Sequence, residues 1–251
     1  MGEPLLEVRG LTKSFGGLIA TDRMDLDVTE GETHAVIGPN GAGKTTLLSQ
    51  LSGDLRPDAG LIRFVGEDIT HLGAPARSMR GLARSFQITS IFKDFTALDN
   101  VALAVQAHAG SSFRFWRPAR REWALREPAL EVLRTVGLAE RSELMAANLA
   151  HGEQRQLEIA MALATRPRML LLDEPVAGMG LDESQRMIRF LQSLKGRQTI
   201  LLVEHDMDAV FALADRISVM VYGRIIASGR PEEVRVNPEV RQAYLGEDTL
   251  V

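Results

Sequence analysis

The chain contains no cysteine. Disulfides, thiolate zinc sites and cysteine nucleophiles are excluded together, and the absence fits a reducing compartment. Long hydrophobic runs are missing as well. The purely apolar stretches are short, such as Met169–Leu172 and Ile200–Val203, whereas a membrane-crossing helix needs roughly 20 consecutive apolar residues. The opening Met1–Gly10 carries Glu3 and Glu7 and has no apolar core of signal-peptide length. Positive charge is not in excess: Lys plus Arg number 29 and Asp plus Glu 33, a net charge of −4. A chain of that sign makes a poor general nucleic-acid binder, because sequence-independent affinity for DNA or RNA comes from clustered positive charge. There is no internal repeat and no low-complexity tract. What is present is 251 residues, 45% hydrophobic and 25% charged, the balance of a globular chain of one large domain or two small ones. The expectation is a soluble protein of the cytoplasm.

Short aliphatic and β-branched runs recur at Leu5–Val8, Thr33–Ile37, Leu61–Val65, Met169–Leu172, Thr199–Val203 and Ile217–Tyr222. Several are apolar at every position, as strands covered by helices on both faces must be. Helical spacing fills the intervals. Leu157, Ala160, Met161 and Ala164 share one face of Glu153–Thr165, and Met187, Ile188, Leu191 and Leu194 share one face of Glu183–Lys195. Strands alternating with helices predict an α/β core with a mainly parallel sheet. The first ~30 residues read instead as an antiparallel β flank, and about 89–149 read as helical without a strong strand. A single domain over 1–251 is therefore expected, with 1–88 and about 150–251 forming the core and about 89–149 an inserted helical subdomain.

Gly38-Pro39-Asn40-Gly41-Ala42-Gly43-Lys44-Thr45 fits G-x-x-x-x-G-K-[ST], follows the strand Thr33–Ile37 and precedes the helical run Thr46–Leu51. The glycines let successive N–H groups turn inward, and the next helix adds its positive end, so the loop suits phosphate groups. Lys44 adds a point charge, and the Thr45 hydroxyl is a ligand type for Mg2+. A cation of that kind needs a carboxylate on a neighbouring strand end. Met169–Leu172 followed by Asp173 and Glu174 provides one at the edge where α/β sheets bind ligands. Asp173 is read as the metal-side acid, and Glu174 as the group that polarises an attacking water.

With Leu149–Gln154 and Glu204-His205 added, this series resembles the ATP-binding-cassette (ABC) ATPases from about Leu5 to Leu245. The resemblance implies a P-loop NTPase cassette fold, with ATP and Mg2+ bound between two cassettes arranged head to tail. It implies a signature segment at Leu149-Ala150-His151-Gly152-Glu153 that caps the nucleotide of the opposite cassette. Ala150 lacks the serine hydroxyl usual there, and Glu153 suits a first helical turn only if its acid points away from the triphosphate. His151 either donates in place of that hydroxyl or simply packs. Gln87 matches the glutamine that joins the metal to the helical lobe, and His205 matches the γ-phosphate sensor. Phe15 stands where an aromatic ring stacks on adenine, with a core phenylalanine of the β flank as the alternative. Ala177–Gly180 lies at the place of the loop that crosses the dimer, with uncharged Gly180 where an acid is common.

Phe15–Ala20, Leu149–Ile159, Glu174–Gly178 and the tail Asn237–Gly246 further resemble the ATP-binding subunits of branched-chain (hydrophobic) amino-acid importers. That resemblance implies several partners: a second cassette, identical or related, integral-membrane permeases, and indirectly an extracytoplasmic solute-binding protein. No nucleic acid is expected. The place implied is peripheral, on the cytoplasmic face of the inner or plasma membrane. Urea or short-amide importers, and soluble cassette ATPases without a permease, are the alternatives. A small-nucleotide kinase sharing only the phosphate loop is disfavoured by the signature segment. Ser111–Arg121 holds four arginines and three aromatics without an acid. It is read either as a solvated helix connection or as a contact to permease or anionic headgroups.

Overall fold

The computed structural model describes residues 4–85, 91–108 and 123–245. Its strands and helices run β1 (Leu6–Phe15), β2 (Leu18–Val28), β3 (Thr33–Ile37), α1 (Lys44–Ser52), β4 (Ala59–Phe64), β5 (Glu67–Asp68), α2 (Ala74–Ser78) and β6 (Leu82–Arg84). Then follow α3 (Ala97–His108), α4 (Trp123–Thr135), α5 (His151–Ala164), β7 (Met169–Asp173), α6 (Leu181–Leu194) and β8 (Thr199–Val203). The chain closes with α7 (Met207–Leu213), β9 (Arg216–Val221), β10 (Arg224–Gly229), α8 (Pro231–Val236) and α9 (Pro238–Leu245).

Among the described residues these strands make two sheets. One is antiparallel, in the order β2-β1-β4-β5; the other has the order β10-β9-β3-β8-β7-β6. In the second sheet β9, β3, β8, β7 and β6 run parallel, and only β10 returns antiparallel on β9. The parallel strands therefore end along one edge. The loop after β3, the turn after β7 and the turn after β8 meet there.

The all-apolar strands are explained by two separate cores. On β7, Leu170 and Leu172 pack with α3, α4, α5 and α6, while Met169 and Leu171 pack with α1 and the antiparallel sheet. On β8, Ile200 and Leu202 take the first side, and Leu201 and Val203 the second. Side chains alternate across a strand, so a sheet covered on both faces calls for apolar residues at successive positions, and a buried polar one such as His34 is paired, here with Ser218. A third cluster, with Ala35, Ile37, Val210, Ile217, Val219, Val234 and Val240, closes the β9 edge under α7, α8 and α9.

Several boundaries depart from the sequence reading. β1 extends past Val8 to Phe15, because register shifts between Val8 and Ser14 absorb Gly10 and the polar residues around it. α5 starts at His151, two residues before the Glu153 start read from the sequence, since a first turn carries no periodic requirement. β9 stops at Val221, and Tyr222 turns the chain at φ +46°.

Candidate functional site

The loop Gly38–Gly43 is shaped by backbone crowding at both ends. A Cβ on Gly43, whose φ is +105°, would lie 2.0 Å from the Ala20 carbonyl oxygen. A Cβ on Gly38 would lie 2.0 Å from that of Met220. Gly223 N–H also donates to Ala42 O at 2.9 Å, tying the loop to the β9–β10 turn. Lys44 opens α1 and is buried, and its ammonium donates back to Gly38 O at 2.7 Å and Pro39 O at 3.0 Å. Burial lowers its pKa from the ordinary lysine value, against the pull of Glu174 and Asp173. Thr45 is exposed and Thr46 half-buried in the same first turn.

Asp173 ends β7 with 1% of its surface exposed. Its Oδ2 accepts from Arg84 Nη2 at 3.1 Å, and its buried Oδ1 has no hydrogen-bond partner. Desolvation raises the Asp173 pKa above the carboxylate norm, and the Arg84 guanidinium opposes the rise. Arg84 Nη1 also reaches Ser49 Oγ, Ser52 Oγ and Asp54 Oδ2 at 3.1–3.2 Å. The Thr45 hydroxyl, the orphaned Asp173 oxygen and the oxygens of a bound polyphosphate form the all-oxygen donor set that a hard cation such as Mg2+ takes. The residues present fit that ion.

Glu174 follows at φ +48°, its amide donating to Val203 O at 2.9 Å. Its Oε1 lies 3.7 Å from Nδ1 of His205, which follows β8 by two residues with 60% of its side chain exposed. The intervening Glu204 is fully buried, and its carboxylate accepts from the amides of Val176, His205 and Asp206. Burial raises the Glu204 pKa, and the three amides and His205 hold it back. Lys44, Asp173, Glu174 and His205 thus gather at one sheet edge. Phe15 stands at the β1–β2 tip, half exposed, with Lys13 Nζ 5.7 Å from its ring centre. It is not a core phenylalanine.

Ala150–Glu153 occupies a different neighbourhood. Ala150, Gly152 and Glu153 line a groove of about 600 Å3 with Arg141 and residues of α4 and α6. The Glu153 carboxylate bends back to accept from Ala150 N–H at 3.0 Å and lies 3.4 Å from Arg141 Nε. The acid is therefore turned to its own helix start, and half of a reciprocal cap is made without the serine that would complete it. His151 is exposed, near Gly178. Gln87 and Ser111–Arg121 lie outside the described residues.

Sequence reading missed the residues that join these parts. Arg155 is buried in α5, and its Nη2 donates to Asp173 O at 2.8 Å and Glu174 O at 3.2 Å while Nη1 meets Glu158 at 3.1 Å. It fastens the helix behind the signature to the end of β7. An arginine at the second turn of a helix reads as solvated, and only its pairing with Glu158 three residues on hints otherwise.

A family profile described as ABC transporter matches residues 21–177, and one described as branched-chain amino acid ATP-binding cassette transporter matches residues 224–249. The high-affinity branched-chain amino acid transport ATP-binding protein BraF of Pseudomonas aeruginosa is 42% identical over 254 residues, covering 98% of this chain and 100% of the relative. The LivG protein of the same description from Escherichia coli is 37% identical over 259 residues, with 98% and 100% covered. Among solved structures, the ADP conformation of an ATP-binding cassette of an ABC transporter superposes with a TM-score of 0.86 at 31% identity, covering 98% of this chain and 100% of that one.

Proposed function

The chain belongs to the ABC transporter family, and from that membership we propose that it energises an importer of branched-chain amino acids from the cytoplasmic face of the membrane. It is an ATPase whose hydrolysis drives transport, with the fold of a nucleotide-binding cassette. No helix among the described residues is long and apolar enough to cross a membrane, so the permeation path belongs to partner subunits. The observation that carries the site assignment is the meeting of Lys44, Asp173, Glu174 and His205 at the carboxyl edge of one parallel sheet, where such folds bind ligands.

In this reading Lys44 exchanges the Gly38 and Pro39 carbonyls for phosphate oxygens of ATP, and the loop Gly38–Thr46 supplies inward amides. Mg2+, when bound, neutralises charge on the phosphates, with Thr45, Asp173 and Gln87 as its protein-side partners. Phe15 stacks on the adenine face. Glu174 orients and polarises the attacking water, and His205 donates to the γ-phosphate. A second cassette, identical or related, presents its own Ala150-His151-Gly152-Glu153 segment to that phosphate and excludes water. One chain has one copy of each half, so two chains complete two sites.

Glu174→Gln tests the chemistry. Nucleotide binding is retained, turnover falls by at least about 100-fold, as expected for loss of a general base, and light scattering with ATP finds a trapped dimer. Phosphate release near the wild-type rate would place the base elsewhere. Uptake of leucine, isoleucine and valine by the reconstituted permease complex tests the solute. Uptake of urea or short amides in their place would support the alternative reading.

A further inference from the structure

The mechanism above leaves one fully buried acid without a task. Glu204 ends the β8 run, between Val203 and the γ-phosphate sensor His205, with none of its surface exposed. A buried carboxylate is costly unless its lone pairs are met. Here they are met by backbone from two separate turns. Oε1 accepts from Val176 N–H at 3.1 Å, in the turn after β7. Oε2 accepts from His205 N–H at 2.9 Å and Asp206 N–H at 3.2 Å, in the turn after β8.

The two turns carry the two groups placed at the reacting phosphate. Glu174 is held at its own amide by Val203 O at 2.9 Å, and two residues later Glu204 takes the Val176 amide. Both ends of the turn that presents Glu174 are therefore fixed to the end of one strand, β8. The same carboxylate fixes the backbone of His205, whose Nδ1 stands 3.7 Å from Glu174 Oε1. Glu174 sits at φ +48°, a conformation that a non-glycine residue keeps only when its surroundings impose it.

We propose that Glu204 is a positioning residue for hydrolysis: its carboxylate clamps the Glu174 turn to the His205 turn, so that the water-activating acid and the phosphate sensor hold one spacing. Glu204, with none of its surface exposed, acts through the backbone amides it holds. The clamp also reaches the next segment, because Val176 leads directly into Ala177–Gly180, which by resemblance is the loop that crosses the dimer. This inference rests on the roles proposed above for Glu174 and His205.

The test uses the purified chain with its cognate cassette and compares Glu204→Gln, Glu204→Asp and Glu204→Ala. An amide in place of the acid keeps one acceptor oxygen and turns a donor toward the other turn, so Glu204→Gln preserves shape while breaking one arm of the clamp. The expected result is an MgATP dissociation constant within about twofold of wild type, with kcat lowered at least about tenfold in Glu204→Ala and less in Glu204→Gln. The KM for MgATP stays level, and the Val176, His205 and Asp206 amides exchange faster with solvent. In a double-mutant cycle, Glu204→Ala combined with His205→Ala loses no more than the worse single variant, because one acts through the other.

A purely structural role would lower the melting temperature and leave kcat per folded molecule unchanged, and that outcome overturns the inference. So would losses that multiply with those of His205→Ala. If Glu204→Ala does not fold, the Gln and Asp variants carry the same comparison. A wild-type pair that hydrolyses no MgATP sinks the functional reading itself, whereas normal hydrolysis by Glu204→Gln sinks only the clamp.

Discussion

Two regions of this chain are assigned to ATP phosphates, one to its own nucleotide and the other to that of the opposite cassette, and they are built in opposite ways. The loop after β3 is closed on itself: its ammonium is held by Gly38 O and Pro39 O, its ends abut the Ala20 and Met220 carbonyls, and Ala42 is tied to Gly223. The signature segment is open. Ala150 has no side-chain oxygen, His151 is exposed, and Glu153 is engaged with its own helix start and Arg141. The first region is shaped before any ligand arrives. The second is fixed at its base, by Arg155 on the Asp173 and Glu174 carbonyls and by Gln154 on the Ala146 and Leu149 carbonyls. Such an arrangement suits a pocket that one chain forms and another chain lids, with nucleotide affinity residing in the first and closure in the second.

The sharpest way to break this division is Gly43→Ala. A methyl group would meet the Ala20 oxygen at 2.0 Å and require φ +105° of an L-residue. Neither can be relieved without moving the start of α1. MgATP affinity of the single chain is expected to fall at least about 100-fold, equivalent to about 3 kcal/mol, as read by fluorescent-nucleotide titration. Near-normal affinity would show that the loop tolerates reshaping and that the contrast between the two regions is overstated.

How much of this was legible beforehand follows from where the physical requirement lies. A phosphate loop must carry glycines and a lysine at fixed spacing, so Gly38–Thr46 announces itself. A strand with both faces covered is predominantly apolar, so Met169–Leu172 and Ile200–Val203 do too. The three residues of β6 are too few to show a period, yet they bring Arg84 to Asp173. The clamp at Glu204 and the tether at Arg155 are charged residues whose burial depends on backbone groups distant in the chain. Composition and periodicity hold no trace of such partners. The opening of the signature region was only half readable: the missing hydroxyl of Ala150 is visible as a letter, but the direction of the Glu153 carboxylate is not.

A second prediction compares the regions through pH. His34, on the same strand that ends in the phosphate loop, is fully buried, with Nε2 2.8 Å from Ser218 Oγ and Nδ1 3.5 Å from Glu32. Desolvation and the nearby Arg216 guanidinium push its pKa down from 6.5 to about 3, against a backbone hydrogen bond at Asp27. Folded protein therefore keeps the ring neutral where the unfolded chain takes a proton. The contribution to stability is complete above the unfolded value near 6.5 and is lost as pH falls toward 3. Its slope approaches about 1.4 kcal/mol per pH unit. Denaturant titrations at pH 7 and 5 should show a smaller fall for His34→Gln than for wild type, with amides of β3 and the loop losing protection before those of α5. Parallel pH profiles for the two proteins would remove His34 from the account.

The smallest effect concerns the open region, and it asks whether Ala150 leaves the lid loose. In Ala150→Ser the new hydroxyl can accept the Glu153 N–H, completing the cap of which Glu153 already makes the other half at 3.0 Å. Its proton remains free for a phosphate oxygen of the opposite site, since a hydroxyl donates once and accepts twice. Each contact is worth about 0.5–1 kcal/mol. In a Glu174→Gln background, where ATP holds the dimer closed, dimer dissociation should therefore weaken by about threefold to tenfold. The gain should appear in the dimer constant and not in nucleotide affinity of the single chain, because Ala150 lines a groove with α4 and α6 rather than the loop after β3. An unchanged dimer constant would mean that backbone amides at Gly152 and the exposed His151 already complete the lid, and the two regions would then be equally finished by different means.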